Sequence, residues 1–265
     1  GFARVRLPVA HHALGRRRVV ALQPVAELVR STEEDRLAVE HPDEPTSGPD
    51  RSAEDGPRGW AGHDRGVEDE RSPGSDPPST GLPVEGVVGD LRSALDGPGH
   101  AVLVAEPGAG KTTVVPLKLL EAPWLGGRKV LVLEPRRVAA RAAAARMASL
   151  LGERVGGTVG LRTRDETRIG RSTRVEVVTE GVMTRMIQRD PSLEGVGVVV
   201  FDEFHERSLH AELGLALALE VRRELRPDLA LLVASATIDA AAVATMVGEV
   251  AVPAPVIEAP GRTHP

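Results

Sequence analysis

The chain has no cysteine. That excludes a disulfide framework and any thiolate metal site, and it fits a reducing compartment, so the cytoplasm is the expected location. Aromatic residues make up only 2% of the sequence. Platforms of stacked aromatic side chains, on which many single-strand binders lay their bases, are therefore not expected. Lysine is almost missing: three occur, at Lys111, Lys118 and Lys129, in a chain otherwise rich in Arg, Ala, Gly, Pro and Val. This bias reads as genome composition. It lowers the meaning of any single arginine and raises that of Lys111. No apolar run approaches the ~18 residues a membrane helix needs, so no membrane association is expected. Residues 1–30 carry arginines without the clean apolar run and small-residue cleavage site of a secretory signal. A start at Gly1 rather than Met suggests a fragment or a processed product.

What charge there is lies unevenly. Residues 1–30 hold six Arg against one acid, and residues 31–80 hold fourteen acids against five Arg. The formal net charge of −5 comes mostly from that one acidic segment. Residues 31–80 are also rich in Pro, Gly and Ser and poor in large apolar side chains. Such a segment cannot bury enough surface to offset its conformational entropy and is expected to be a disordered linker. Residues 1–30 are expected to form an Arg-rich arm, with a strand or a short helix around Arg16-Arg17-Arg18-Val19-Val20-Ala21-Leu22.

From about Gly81 the texture changes. Short apolar runs alternate with helical patterns, the mark of βαβ units and a parallel sheet. Strands are expected at 101–105, 129–133, 158–164, 175–179, 196–201 and 229–234. Helices are expected at 87–95, 111–120, 137–151, 182–189, 211–225 and 240–247, with Gly152 and Gly248 placed to end two of them. Runs such as Val130-Leu131-Val132-Leu133 lack alternation, which suits strands buried on both faces. Residues 81–265 are enough for one α/β domain with its own core.

Three runs carry chemistry. In Ala105-Glu106-Pro107-Gly108-Ala109-Gly110-Lys111-Thr112-Thr113 an apolar strand gives way to a glycine-rich turn and then a helix. Gly108 and Gly110 let successive backbone N–H groups face an anion, Lys111 supplies a mobile ammonium for β- and γ-phosphates, and Thr112 offers a hydroxyl to magnesium. In Val198-Val199-Val200-Phe201-Asp202-Glu203-Phe204-His205 a buried strand ends in two acids. Asp202 would hold magnesium and Glu203 would orient and deprotonate a water. Alone, an apolar strand ending in Asp-Glu also fits a surface turn; following a phosphate loop, the pair reads as a nucleotide-hydrolysis site needing ATP and Mg2+. Ser235-Ala236-Thr237 closes a third strand. By itself it fits a helix cap; after the other two it reads as a coupling element.

With Glu134-Pro135-Arg136-Arg137-Val138-Ala139-Ala140, Thr179-Glu180-Gly181 and Asp202-Glu203-Phe204-His205-Glu206-Arg207-Ser208 added, the runs stand in one order. That order resembles the first RecA-like lobe of a DEAH-box helicase, from about Leu82 to Pro265. Phe204 replaces the family's usual Ala. That variant and the run from Leu133 to Ala144 are similar to the bacterial HrpB-type helicases.

The resemblance implies a P-loop NTPase fold of RecA type behind the acidic segment. It implies ATP and magnesium held by Gly108, Ala109, Gly110, Lys111, Thr112, Thr113 and Asp202, with Glu203 as general base. It implies coupling through His205, Ser235 and Thr237, and phosphate contacts to a single strand, RNA more than DNA, from Arg136, Arg137, Thr179, Glu180 and Gly181. Arg146 would stack on the nucleotide base. Read from the residues alone, Arg136-Arg137 fits a phosphate contact and a solvated helix start equally well.

The family needs a second RecA-like lobe that brings arginine fingers to the γ-phosphate, and Gly261-Arg262-Thr263-His264-Pro265 looks like the passage into it. A finger supplied from outside is worth roughly 10³–10⁵ in rate. Alone, the chain is expected to bind ATP weakly, hydrolyse it very slowly and not unwind duplexes. Two other readings remain at this level: a P-loop ATPase that never touches nucleic acid, and a non-catalytic interaction module working through the acidic segment.

Overall fold

The computed structural model describes residues 79–206, 208–236, 240–248 and 252–261. The expected arm, nearly all of the expected disordered linker, and Arg207, Thr237 and the run 262–265 lie outside the described residues.

A 3-10 turn (Pro83–Val87) runs into α1 (Val88–Asp96), and β1 (His100–Val104) follows. After the glycine-rich turn come α2 (Val115–Leu119), a 3-10 turn (Pro123–Leu125), β2 (Lys129–Glu134) and α3 (Arg137–Leu150). Next are β3 (Val159–Arg162), β4 (Thr167–Arg168), β5 (Val175–Thr179), α4 (Glu180–Arg189) and β6 (Val196–Phe201). A 3-10 turn (Phe204–Glu206), α5 (Leu209–Glu224), β7 (Ala230–Ser235), α6 (Ala240–Val247) and β8 (Val256–Glu258) complete the order.

The strands form one sheet in the order β4-β3-β5-β2-β6-β7-β1-β8. Every pairing is parallel except β3 with β4. The expected α/β fold with a mostly parallel sheet of RecA type is thus the observed one. Its cause is visible in the strands. All six residues of β6 and all six of β7 are buried, so neither face meets water and no polar alternation survives. Side chains such as Leu103, Leu131 and Phe201, almost fully enclosed, each contribute about 1.5–3 kcal/mol over exposure. The helix α3 turns Ala140, Ala143, Ala144, Met147 and Ala148 inward. Alanine favours the helix and, being small, lets its axis lie close to β3 and β5.

Five expectations change. The helix expected at 111–120 is regular only from Val115, because Pro116 has no N–H to give Thr112; the turn before it closes instead on the Gly110 carbonyl, which accepts from Val114 N (2.8 Å) and Val115 N (3.3 Å). Two helices begin earlier than expected: Thr179 stands at the N-cap of α4, and Ser208 caps α5 by accepting from Ala211 N (2.9 Å). The strands β4 and β8 were not expected. Both are short, and prolines at 253 and 255 hide the latter. At the expected helix ends, Gly152 has φ +71°, and a Cβ on Gly248 would collide with the Val252 carbonyl oxygen. Among the described residues no helix is long and apolar enough to cross a membrane.

Candidate active site

In a parallel sheet all the C-terminal strand ends lie at one pole, where ligands of open α/β sheets bind. Here β1, β7, β6 and β2 deliver Ala105, Ser235, Asp202 and Glu134 to that pole side by side. The turn after β1 has Gly108 at φ +79° and Gly110 at φ +100°. Gly110 is fixed by space as well: a Cβ there would lie 2.9 Å from Val84 Cγ2 and 3.1 Å from Leu82 Cδ1. The 3-10 turn before α1 backs the loop directly, and Val84 N donates to the Ala109 carbonyl (3.3 Å).

Lys111 is 3% exposed and donates to the carbonyls of Ala105 (3.1 Å) and Glu106 (3.3 Å). Its ammonium lies 4.0 Å from Glu203 Oε1. Thr112 Oγ1 donates to Asp202 Oδ2, so the two motifs meet across the end of β7. Asp202 Oδ1 accepts from Glu203 N (2.8 Å). That bond accompanies an uncommon backbone: Glu203 has φ +49°, a conformation other than glycine seldom adopts and one found where a side chain must be aimed. Glu203 Oε2 lies 3.3 Å from His205 Nδ1. Phe204, the departure from the helicase pattern, is 4% exposed and meets Phe201 edge-on at 6.5 Å.

The electrostatics are unbalanced toward negative charge. Burial raises the Asp202 carboxyl above its usual range against the opposing Thr112 hydrogen bond. Burial likewise pushes Glu134 up to about 9, helped by the nearby charges of Asp202 and Glu203. Among the described residues, Glu134 Oε1 and Ser235 Oγ are both buried without a hydrogen-bond partner. A half-satisfied cation, two acids held above their normal range and orphaned oxygens suit a ligand bearing both anionic phosphates and a hard cation. Among the described residues no group of three or more His, Cys, Asp or Glu converges as a metal cage. Magnesium needs none, since it is held by one or two protein oxygens with phosphates and water, as Thr112 and Asp202 would provide.

Residues 91–246 match the family model for DEAD/DEAH box helicases. The chain belongs to that family. It is similar to the ATP-dependent RNA helicase HrpB of Escherichia coli, 53% identical over 69% of this chain and 22% of that protein. It is also similar to an ATP-dependent RNA helicase HrpA homolog of Haemophilus influenzae, 36% identical over 63% of this chain and 13% of the relative. A crystal structure of the E. coli DEAH/RHA helicase HrpB superposes with a TM-score of 0.64 over 69% of this chain and 23% of its own. The chain thus spans under a quarter of the length of these relatives.

The remaining residues expected from helicase motifs fall into two groups. Arg136, Arg137, Thr179, Glu180 and Gly181 gather at the C-terminal ends of the neighbouring strands β2 and β5. Arg136 and Arg137 are exposed, and each meets an acid: Glu206 for Arg136, Asp165 for Arg137. Glu180 Oε1 accepts from Ser208 Oγ (2.7 Å), and burial raises the Glu180 carboxyl. Arg146 lies on the exposed side of α3, over two turns beyond Arg137, and α3 packs on β3 and β5. Three residues of the helicase pole carried no role in the sequence reading: Glu134, Glu206 and Ser208. A carboxylate directly before Pro135 at a strand end was the one available signal.

Proposed function

We propose that this chain is the ATP-binding and ATP-hydrolysing lobe of an ATP-dependent helicase that acts on RNA, couples hydrolysis to movement of a single strand, and works in the cytoplasm. Residues 81–265 form that lobe in this reading, behind an acidic linker and an Arg-rich arm. The observation that carries it is the contact of Thr112 with Asp202, beside buried Lys111. The relatives named ATP-dependent RNA helicases support the choice of RNA.

In this reading the N–H groups from Gly108 to Thr113 cradle phosphates, and Lys111 exchanges its carbonyl partners for phosphate oxygens. Thr112 and Asp202 hold magnesium. Bound Mg-ATP would supply the electrophilic γ-phosphoryl group and a charge that favours ionised Asp202. Glu203, aimed by its left-handed backbone, orients the attacking water and takes its proton. His205 steadies Glu203, and Ser235 with Thr237 relays the state of the site. Arg136, Arg137, Thr179, Glu180 and Gly181 meet the strand through its phosphates, giving weak sequence preference.

The test is ATP turnover by this chain with and without a uridine oligonucleotide, beside Glu203→Gln, together with oligonucleotide binding as salt is raised. Slow turnover lost in Glu203→Gln and salt-sensitive binding lost in the Arg136→Ala, Arg137→Ala double variant are expected. Turnover indifferent to Glu203→Gln removes the catalytic assignment. Binding indifferent to both arginines favours an ATPase that does not touch nucleic acid.

A further inference from the structure

The loop between β6 and α5 begins with Asp202, Glu203 and His205 and is fastened at two later points. Glu206 Oε2 accepts from Arg136 Nε (3.2 Å) and Nη2 (3.1 Å). Ser208 Oγ donates to Glu180 Oε1 (2.7 Å). Both anchors, Arg136 and Glu180, belong to runs assigned above to the strand. We propose that Glu206 is a positioning residue that sits in the phosphate seat of Arg136 until a nucleic-acid phosphate displaces it, tying arrival of the strand to the turn that bears Glu203 and His205. The inference rests on the proposed function.

Three features carry it. The two guanidinium donors that Glu206 occupies are those with which arginine grips a phosphate side-on, so carboxylate and phosphate compete for one place. The pair is exposed, with 72% of the Arg136 side chain and 32% of that of Glu206 open to solvent, and an ion pair in such a setting is weak enough to exchange. The partners are also unequally anchored. Arg136 stands between β2 and α3, at φ −128° and ψ 139°, where both elements hold its backbone. Glu206 ends a short 3-10 turn, in which its N–H donates to the Glu203 carbonyl (2.9 Å). Phe204, buried against Phe201, fixes the start of that turn. Displacing Glu206 therefore releases the turn and not the arginine. Glu180 adds a reason for Glu206 to leave: the Glu206 charge opposes ionisation of the neighbouring Glu180 carboxyl, so two acids crowd a face that is to receive phosphates.

The experiment measures binding of a fluorescein-labelled uridine oligonucleotide by anisotropy for the full chain, Glu206→Gln, Arg136→Ala and the double variant. Glu206→Gln is expected to tighten binding about two- to five-fold. It should also steepen the salt dependence by up to about 0.7 in log–log slope, because no carboxylate is left to recapture a cation for the counterion that the strand releases. In the Arg136→Ala background the same substitution should change neither. Hydrogen exchange on the unsubstituted chain gives an independent readout, with the amides of residues 203–206 exchanging faster once the oligonucleotide binds. Unchanged affinity and slope in Glu206→Gln, while Arg136→Ala still weakens binding, overturns this inference alone. So does exchange at 203–206 that ignores the oligonucleotide. Absence of any binding by the unsubstituted chain overturns the proposed RNA substrate along with it.

Discussion

Where the parallel strands begin, three arginines are tied down largely by backbone carbonyls. Arg226 donates to the carbonyls of Ser192 (3.0 Å), Leu193 (3.2 Å) and Val196 (3.0 Å) and to both oxygens of Asp228 (2.8 Å each). Arg222 reaches the carbonyls of Pro98, Pro227 and Leu229, and Arg128 those of Trp124 and Leu125 as well as Asp228. Where the same strands end, Lys111 makes do with two long carbonyl bonds, Glu134 Oε1 and Ser235 Oγ are orphaned, and Glu203 holds a left-handed backbone. The first pole is mostly fastened by its own groups, with Trp124 Nε1 and Arg174 Nε buried there without a hydrogen-bond partner among the described residues. The second is left short of partners, as a surface must be if a ligand is to finish it. Stability and chemistry are assigned to opposite ends of one sheet.

Substitutions at the two poles should separate accordingly. The largest effect belongs to Glu203→Gln, which should lower ATP turnover about 10²–10⁴-fold while leaving the affinity for a fluorescent ATP analogue nearly unchanged. A parallel loss of affinity would mean that Glu203 binds and does not act as a base. Arg226→Ala comes next. It strands several carbonyls at once and should lower stability by about 2–4 kcal/mol in urea, with nucleotide affinity preserved in the folded fraction. If nucleotide affinity fell with it, the poles would not be independent.

Glu134 connects charge to stability. A carboxyl raised from 4.5 to about 9 in the folded state keeps its proton there while the unfolded chain loses it. Its contribution is whole below pH 4.5 and is lost as pH rises toward about 9, at no more than ~1.4 kcal/mol per pH unit. Glu134→Gln, always neutral, should flatten the urea midpoint across that window; an unchanged slope would assign it to other groups. The smallest effect is expected from Ser235→Ala. Removing a buried hydroxyl that has no partner among the described residues should shift stability by less than about 1 kcal/mol in either direction. A larger cost would show that the hydroxyl is satisfied after all, weakening the contrast between the poles.

The sequence made the fastener harder to see than the site. Residues 105–113 and 198–205 are contiguous, and their glycines, lysine and acids have spacings with direct physical meaning. The strands β5 and β6 and the helix α6 also match the sequence reading at both ends, since each is an apolar run with clear limits. Contacts made only through sheet order were invisible. Arg136 meets Glu206 because β2 lies beside β6, and Glu134 crowds Asp202 for the same reason. Pro116 was legible, yet the helical pattern around it concealed how late α2 becomes regular.

The seating of β1 has a consequence for the order of assembly. Its neighbours are β7 and β8, with His100 facing Leu231 and Val102 facing Val256. Both partners lie far along the chain, whereas β2, β5 and β6 pair among themselves. On a ribosome the phosphate-loop strand is thus the earliest of the eight to emerge, and it waits for the last two before it has a berth. Closing such distant pairings is slow, so an incomplete chain would leave β1 exposed as an unpaired apolar strand. The segment most exposed to mispairing during synthesis is the strand that leads into the turn bearing Lys111.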